Sequence, residues 1–255
     1  MITRQDIQAA CDDIVREFAP LQVILFGSYA YGTPTESSDV DLLVVMPTPK
    51  SERHHRVVEV SQRIPRRFNI DLLVRSPEEV AYRLSHNDWF LREITEKGEV
   101  LYEANNFLLE TPKKEKGDMN PLTLEWIEKA ESDYTIALLI QKEVLLIQDE
   151  QNPIYDGICF HAQQCIEKYL KAWLQEADIP IPRTHDLKEL LELIVPTVPM
   201  WRTWEPDFSV LSRHAVAIRY PGNSATTDTA SHAMHICNAV RQAVRAQLKL
   251  SPDVK

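Results

Sequence analysis

The stretch LFGSYAYGTPTESSDVDLLVV, Leu25 to Val45, constrains this chain more than any other. An apolar strand pattern runs into Gly27-Ser28, passes through ten mostly polar residues and returns as a second apolar strand bearing Asp39 and Asp41. Residues i and i+2 of a strand point to one face, so the two carboxylates stand side by side while Val40 and Leu42 turn to the other face. Two like charges that close repel, and burying them is costly without a compensating cation. A hard divalent cation such as Mg²⁺, which takes oxygen ligands from one or two carboxylates plus phosphates, removes the conflict. Asp71, in FNIDLLV, repeats the anomaly. If its strand lies beside the first, three acids converge, enough for two metal ions that clamp the attacking and leaving oxygens of an in-line transfer.

The Gly27-Ser28 turn ends one strand and opens a short helix through SYAYG, so its N–H groups and the Ser28 hydroxyl can cradle phosphate oxygens. It is no Walker A loop, because GSYAYG lacks the lysine and the spacing. Alone, a Gly-Ser after a strand is ordinarily a turn, and two acids two apart on a strand are ordinarily a surface pair. The combination, with a third strand acid thirty residues on, is what points to a site.

Around this stretch the pattern alternates helix and strand. ITRQDIQAACDDIVREFA has helical apolar spacing, with Thr3 as candidate N-cap and Pro20 as the stop. SERHHRVVEVSQRI reads as a helix, FNIDLLV as a third strand, and PEEVAYRLSHNDWFLREITEKGEVLY as a helix with a terminal hairpin or strand. The prediction is an α+β fold: a small mixed sheet with helices over residues 1–110, then a linker at 111–120, then an antiparallel helical bundle over 121–255. The bundle follows from five helical patterns, LTLEWIEKAESDYTIALLIQKEV, YDGICFHAQQCIEKYLKAWLQEA, DLKELLELI, FSVLSRHAVAI and TASHAMHICNAVRQAVRAQL, most of them joined by short loops marked by proline. Six glycines against 16 prolines agree with a helix-rich chain.

Charge and cysteine bound the partners. Residues 1–110 carry a net −6 and residues 111–255 a net −4, so neither part holds nucleic acid by bulk electrostatics. The local exception is RIPRRF, with Arg63, Arg66 and Arg67, which reads as a solvated helix end before it reads as a phosphate contact. The four cysteines show no CxxC spacing and read as buried free thiols of a reducing compartment. No targeting segment and no membrane-spanning run is apparent, which predicts a cytoplasmic protein without a membrane partner.

FGSYAYGTPTESSDVDLLVV followed by NIDLLV resembles the signature of the nucleotidyltransferase superfamily related to DNA polymerase β, in particular the minimal nucleotidyltransferases of prokaryotes. The resemblance spans roughly residues 5 to 105. It implies that Asp39 and Asp41 bind a catalytic Mg²⁺ pair (with Mn²⁺ as the alternative ion). It also implies that Asp71 binds one metal and helps activate the attacking hydroxyl. Gly27, Ser28 and Ser38 are then the nucleotide-binding residues, the first two holding the triphosphate of an NTP, ATP above others. One departure stands out: relatives often carry arginine where this chain has Tyr31.

In the second half, FHAQQCIEKYLKAWL, THDL and RYPG are similar to the HEPN domain, a helical bundle, over roughly residues 121 to 250. His161, Gln164, Lys168, His185, Arg219 and Tyr220 are the candidate lining of a groove for a nucleotide or acceptor. Many HEPN domains are ribonucleases in which His follows Arg after four to six residues. Here Arg219 is followed by no His until His232, and Arg213 abuts His214. The expected activity is therefore nucleotidyl transfer to a protein or RNA hydroxyl, in a setting like toxin–antitoxin pairs and with Tyr220 as a possible internal acceptor. A homodimer through the bundle is the expected assembly. The rivals are an aminoglycoside-type nucleotidyltransferase, a non-catalytic nucleotide-binding regulatory module and a HEPN ribonuclease.

Overall fold

The computed structural model describes residues 2–65, 67–105, 107, 119–144, 154–217 and 224–250. The chain divides into two compact units, Met1–Lys116 and Gly117–Lys255. Most of the predicted linker, together with Arg66, Arg219 and Tyr220, lies outside the described residues.

The first unit opens with α1 (Arg4–Phe18), started by a capping box in which Thr3 and Asp6 satisfy each other's backbone N–H groups. It stops at Ala19, in the left-handed conformation, just before Pro20. Then come β1 (Gln22–Phe26), the single turn α2 (Ser28–Tyr31), β2 (Val40–Val45), a 3-10 turn at Lys50–Glu52, α3 (Arg53–Arg63) and β3 (Ile70–Arg75). The unit ends with α4 (Pro77–Ser85), α5 (Trp89–Lys97) and β4 (Glu99–Glu103). The sequence predicts one helix where α4 and α5 stand. The break comes from Asn87, with φ of 56°, followed by Asp88, whose Oδ1 accepts from Leu91 N at 2.9 Å and restarts the helix.

The four strands form a mixed sheet in the order β3-β2-β1-β4. β1 runs antiparallel to β2 and β4, while β3 runs parallel to β2 after the crossover through α3. Both faces are covered. On one, Ile7, Cys11 and Ile14 of α1 and Val60 of α3 pack on Val23, Leu25, Val40, Leu42 and Val44. On the other, Val80, Leu91 and Ile94 of α4 and α5 pack on Ile24, Phe26, Leu43 and Val45. Strands buried on both sides explain why VDLLVV is apolar at nearly every position.

The second unit is helical: α6 (Pro121–Val144), α7 (Ile154–Glu176), α8 (Leu187–Ile194), α9 (Glu205–Ala217) and α10 (Thr227–Gln247), with a 3-10 segment at Pro199–Trp204. α7 is its central element and is buried along most of its length, with polar as well as apolar side chains turned inward. All four cysteines are free and buried. Among the described residues no helix is long and apolar enough to cross a membrane.

A buried ionic knot ties three of these helices together. Glu131 of α6 accepts from Arg241 Nε at 2.8 Å and Nη2 at 3.1 Å, from Arg245 Nη1 at 3.0 Å and from the Tyr169 hydroxyl. Arg241 also lies 4.6 Å from the centre of the Tyr134 ring. Burial works against ionising Glu131, but the hydrogen bonds from Arg241 and Tyr169 prevail and hold its carboxyl below the ordinary value. Replacing Glu131 with Ala is therefore expected to destabilise the bundle by about 3 kcal/mol, because two buried guanidinium groups lose their counter-charge. In Glu131→Gln, chemical denaturation should lose its dependence on this carboxyl. The stabilisation in the wild type is present above pH 4.5, the ordinary value, and disappears as pH falls through the lower folded-state value.

Candidate active site

Register, not sequence proximity, assembles the carboxylates. In the parallel β2–β3 ladder Asp41 stands opposite Asp71, and across the antiparallel β1–β2 ladder Asp41 stands opposite Phe26. Partners across a ladder point to one face, so Asp41 and Asp71 share the face that carries Leu43 and Leu73 further along. Asp39 lies one residue ahead of β2, where Val40 N donates to Asn69 O at 3.1 Å and pins the entry of β2 to that of β3. Asp39 and Asp71 are exposed and Asp41 is half-buried. Among the described residues neither Asp39 nor Asp71 has a cationic partner.

Gly27 brings the turn to these acids. Its φ is +69°, a region that favours glycine, and a Cβ there would lie 2.1 Å from Asp41 Oδ2. The backbone thus passes directly over the Asp41 carboxylate before α2 begins at Ser28. α2 is closed by Ala30 N and Tyr31 N donating to Gly27 O at 3.1 and 3.0 Å, and Gly32 ends it with φ of +80°. Ser38 has a local role in this arrangement: its hydroxyl accepts from Thr35 N at 2.9 Å and closes the loop that leads into Asp39. Tyr31, the departure from the expected arginine, is the last residue of α2 and is half-buried.

Beside the acids is a cleft of about 410 Å³ lined by Asp39, Asn69 and Asp71 and, on its apolar side, by Ile64, Pro65 and Phe68. Phe68 and Asn69 were not singled out by sequence, since a loop dipeptide before a strand carries no periodic signal. Of the basic cluster, Arg63 pairs with Glu59 at 3.0 Å and Arg67 with Asp13 at 3.3 Å. Oxygen donors alone, two residues apart on one strand and opposite on the next, suit a hard divalent cation. Among the described residues, though, no three acidic, histidine or cysteine side chains are already gathered around an ion-sized space.

The candidate groove of the second unit resolves into two carboxylate-centred clusters. His161 Nδ1 lies 2.8 Å from Asp133 Oδ1, and Lys168 pairs with the same carboxylate. Gln164 donates to Glu167 Oε2 at 3.2 Å, and His185 Nδ1 stands 3.1 Å from Glu167 Oε1. Glu167 belongs to a polar ladder that sequence reasoning missed: Gln163, Glu167, Lys171 and Gln175, all at most 7% exposed on α7. Its signal was four polar residues at steps of four, Gln163 to Gln175, within one helix. The ladder grips the α7–α8 connection, with Lys171 Nζ donating to Thr184 O at 3.0 Å and Gln163 Nε2 to His185 O at 3.0 Å.

With this geometry described, comparison with known proteins is direct. Residues 9–119 match the family described as "Nucleotidyltransferase domain" and residues 123–247 the family described as "HEPN domain". The chain is also 31% identical over 90 residues to a protein of Methanocaldococcus jannaschii named "Putative protein adenylyltransferase". That match covers 34% of this chain and 61% of the relative. Residues 9–119 are thus a nucleotidyltransferase domain and residues 123–247 a HEPN domain.

Two substitutions separate the roles of the glycines. Gly27→Ala is expected to lower the unfolding free energy by about 1–3 kcal/mol and to displace Asp41, since strain and collision act together. Gly32→Ala, where an added Cβ meets nothing within 4 Å, should cost only about 1 kcal/mol of backbone strain. Urea denaturation of both variants gives the comparison.

Proposed function

We propose that the first domain transfers a nucleoside monophosphate, AMP from ATP before others, to a hydroxyl of a protein. The observation that carries this reading is the placement of Gly27 over Asp41 with Asp71 directly opposite. It sets the Gly27 turn, Asp41 and Asp71 within one patch, with Asp39 two residues before Asp41. Gly27 and the start of α2 would hold the triphosphate, with Ser38 shaping the approach to Asp39. Asp39, Asp41 and Asp71 would hold Mg²⁺ or Mn²⁺, two ions being the number such a donor set serves. When bound, the metal supplies charge neutralisation for the phosphates. Asp71 orients the acceptor hydroxyl and takes its proton as the oxygen bonds to the α-phosphorus. The bond to the bridging oxygen breaks and pyrophosphate leaves.

The choice of ATP and of a protein acceptor draws support from the name of the archaeal relative. An aminoglycoside acceptor draws none from the bundle. Its carboxylates Glu131, Asp133 and Glu167 already face Arg241 and Arg245, Lys168 and His161, and Lys171 and His185. We place the pairing in a toxin–antitoxin-like setting, with the helical domain as binding and dimerisation partner. Ile136 and Leu139, exposed on α6, are the apolar residues such a contact would use.

Incubation with Mg²⁺ and α-labelled ATP, GTP, CTP or UTP, with lysate protein, RNA or aminoglycoside present, tests the reading. Label should move to protein, from ATP most efficiently, and the Asp39→Ala, Asp41→Ala double variant should lose the transfer. RNA loss that persists in that variant would assign the activity to the helical domain instead. Asp71→Asn is expected to lower kcat at least about 100-fold, the scale of a lost general base, while nucleotide affinity changes little.

A further inference from the structure

β3 is an edge strand, and its free edge forms one wall of the cleft. Four consecutive residues, Asn69, Ile70, Asp71 and Leu72, line that space. Asn69 precedes β3, and the side chains of Ile70, Asp71 and Leu72 alternate between faces, so these three together border one cavity along the backbone edge. Asn69 O accepts from Val40 N and Arg75 O from Met46 N. In a parallel ladder these bonds fix the alternation: odd-numbered residues of β3 bond inward to β2, and the N–H and C=O groups of Ile70, Leu72 and Val74 point outward. Among the described residues, the backbone groups of Ile70 and Leu72 have no partner beyond the sheet. At Val74 the edge is closed, because Arg75 Nη1 donates to Val74 O at 2.8 Å. The open part of the edge therefore coincides with the cleft and is centred on Asp71.

We propose that the protein acceptor docks as an extended segment that adds a strand to this edge, pairing with Ile70 and Leu72. This rests on the nucleotidyl-transfer reading above and specifies how its acceptor is held. An added strand runs about 4.8 Å from β3, and the residue opposite Asp71 turns its side chain to the same face as Asp71 and Asp41. Strand addition therefore places a hydroxyl side chain beside the proposed base by register alone. Recognition of main chain fixes position without demanding a particular acceptor sequence. Ile64, Pro65 and Phe68 offer an apolar wall for a neighbouring side chain of the docked segment. RNA has no alternating row of N–H and C=O groups to match this edge.

The experiment uses the full chain, Mg²⁺ and α-labelled ATP. The acceptors are lysate protein, RNA and nine-residue peptides of alternating Val and Gln around a central Ser, Thr or Tyr. Leu72→Pro removes the outward N–H but also a packed side chain, so a second variant replaces residue 72 with the α-hydroxy acid analogue of leucine. That ester keeps the side chain, deletes the outward donor and weakens the inward Asp71 carbonyl as an acceptor, a change that an ester at Val74 reproduces at Leu73 and so controls for. The ester should raise acceptor KM roughly five- to tenfold, the effect of one hydrogen bond, with nucleotide affinity within about twofold of wild type. The corresponding ester at Val74, beyond the cleft, should leave acceptor KM unchanged. Backbone N-methylation of a labelled peptide should abolish transfer at every second position and spare those between. If only lysate protein is labelled, the Leu72 and Val74 esters decide the matter on that substrate. Aspartate-dependent transfer that ignores both the Leu72 ester and the N-methyl phase, or that reaches RNA alone, overturns the docking mode while leaving nucleotidyl transfer intact. Absence of any transfer by the wild type overturns the activity reading and the docking mode with it.

Discussion

The close approach of the Gly27 backbone to the Asp41 carboxylate is the constraint around which the first domain is arranged. The main chain leaves β1 at Phe26, directly opposite Asp41, and must turn away without a side chain in the space that carboxylate fills. That requires a residue with positive φ and no Cβ, and glycine alone meets both demands. The ladder then does the rest. Because β2 pairs with β1 on one side and β3 on the other, fixing Asp41 against Gly27 also fixes Asp71. The apolar residues between the acids are held on both faces by α1, α3, α4 and α5, so the row of carboxylates sits on a scaffold with little freedom to rearrange.

The helical domain solves a different problem. Its central helix is enclosed on nearly every side, yet it carries Gln163, Glu167, Lys171 and Gln175 inward. Such groups are tolerable only when paired: Gln163, Glu167 and Lys171 pair with one another along α7 and also with the segment at Thr184 and His185. Lys171 stands between Glu167, the Thr184 carbonyl and the Trp126 ring, and Glu131 gathers two arginines and a tyrosine from α7 and α10. These polar spines define which helix faces meet and position the segment before α8. The polar side chains that looked like a ligand groove are largely spent on this internal pairing. That distinguishes the two domains: among the described residues Asp39 and Asp71 of the first have no cationic partner, whereas Glu131, Asp133 and Glu167 of the second already have theirs.

Much of this architecture was legible in the residues. Thr3 and Pro20 bracket α1, proline and helical spacing separate the bundle helices, and VDLLVV reads as an apolar strand. The break at Asn87-Asp88 was not, because a left-handed residue followed by a helix cap leaves apolar spacing nearly undisturbed. The two-cluster arrangement around Asp133 and Glu167 was also hidden. Each partner lies on a different element, or a full helical turn away, and composition cannot say which carboxylate a lysine will choose.

By itself the sequence determined the inventory: a Gly-Ser turn after an apolar strand, aspartates two residues apart, a third acid in a later strand, and a helix-rich second half. Periodicity and residue chemistry are local properties, so they survive without a fold. Tertiary structure alone decided the relations among them. It placed Asp71 opposite Asp41, left β3 at the edge of the sheet, and let Arg75 close one end of that edge while the stretch around Asp71 stayed open. Strand order and register arise from pairing between distant segments, through hydrogen bonds that every backbone can make. No residue carries a mark of which neighbour will take them.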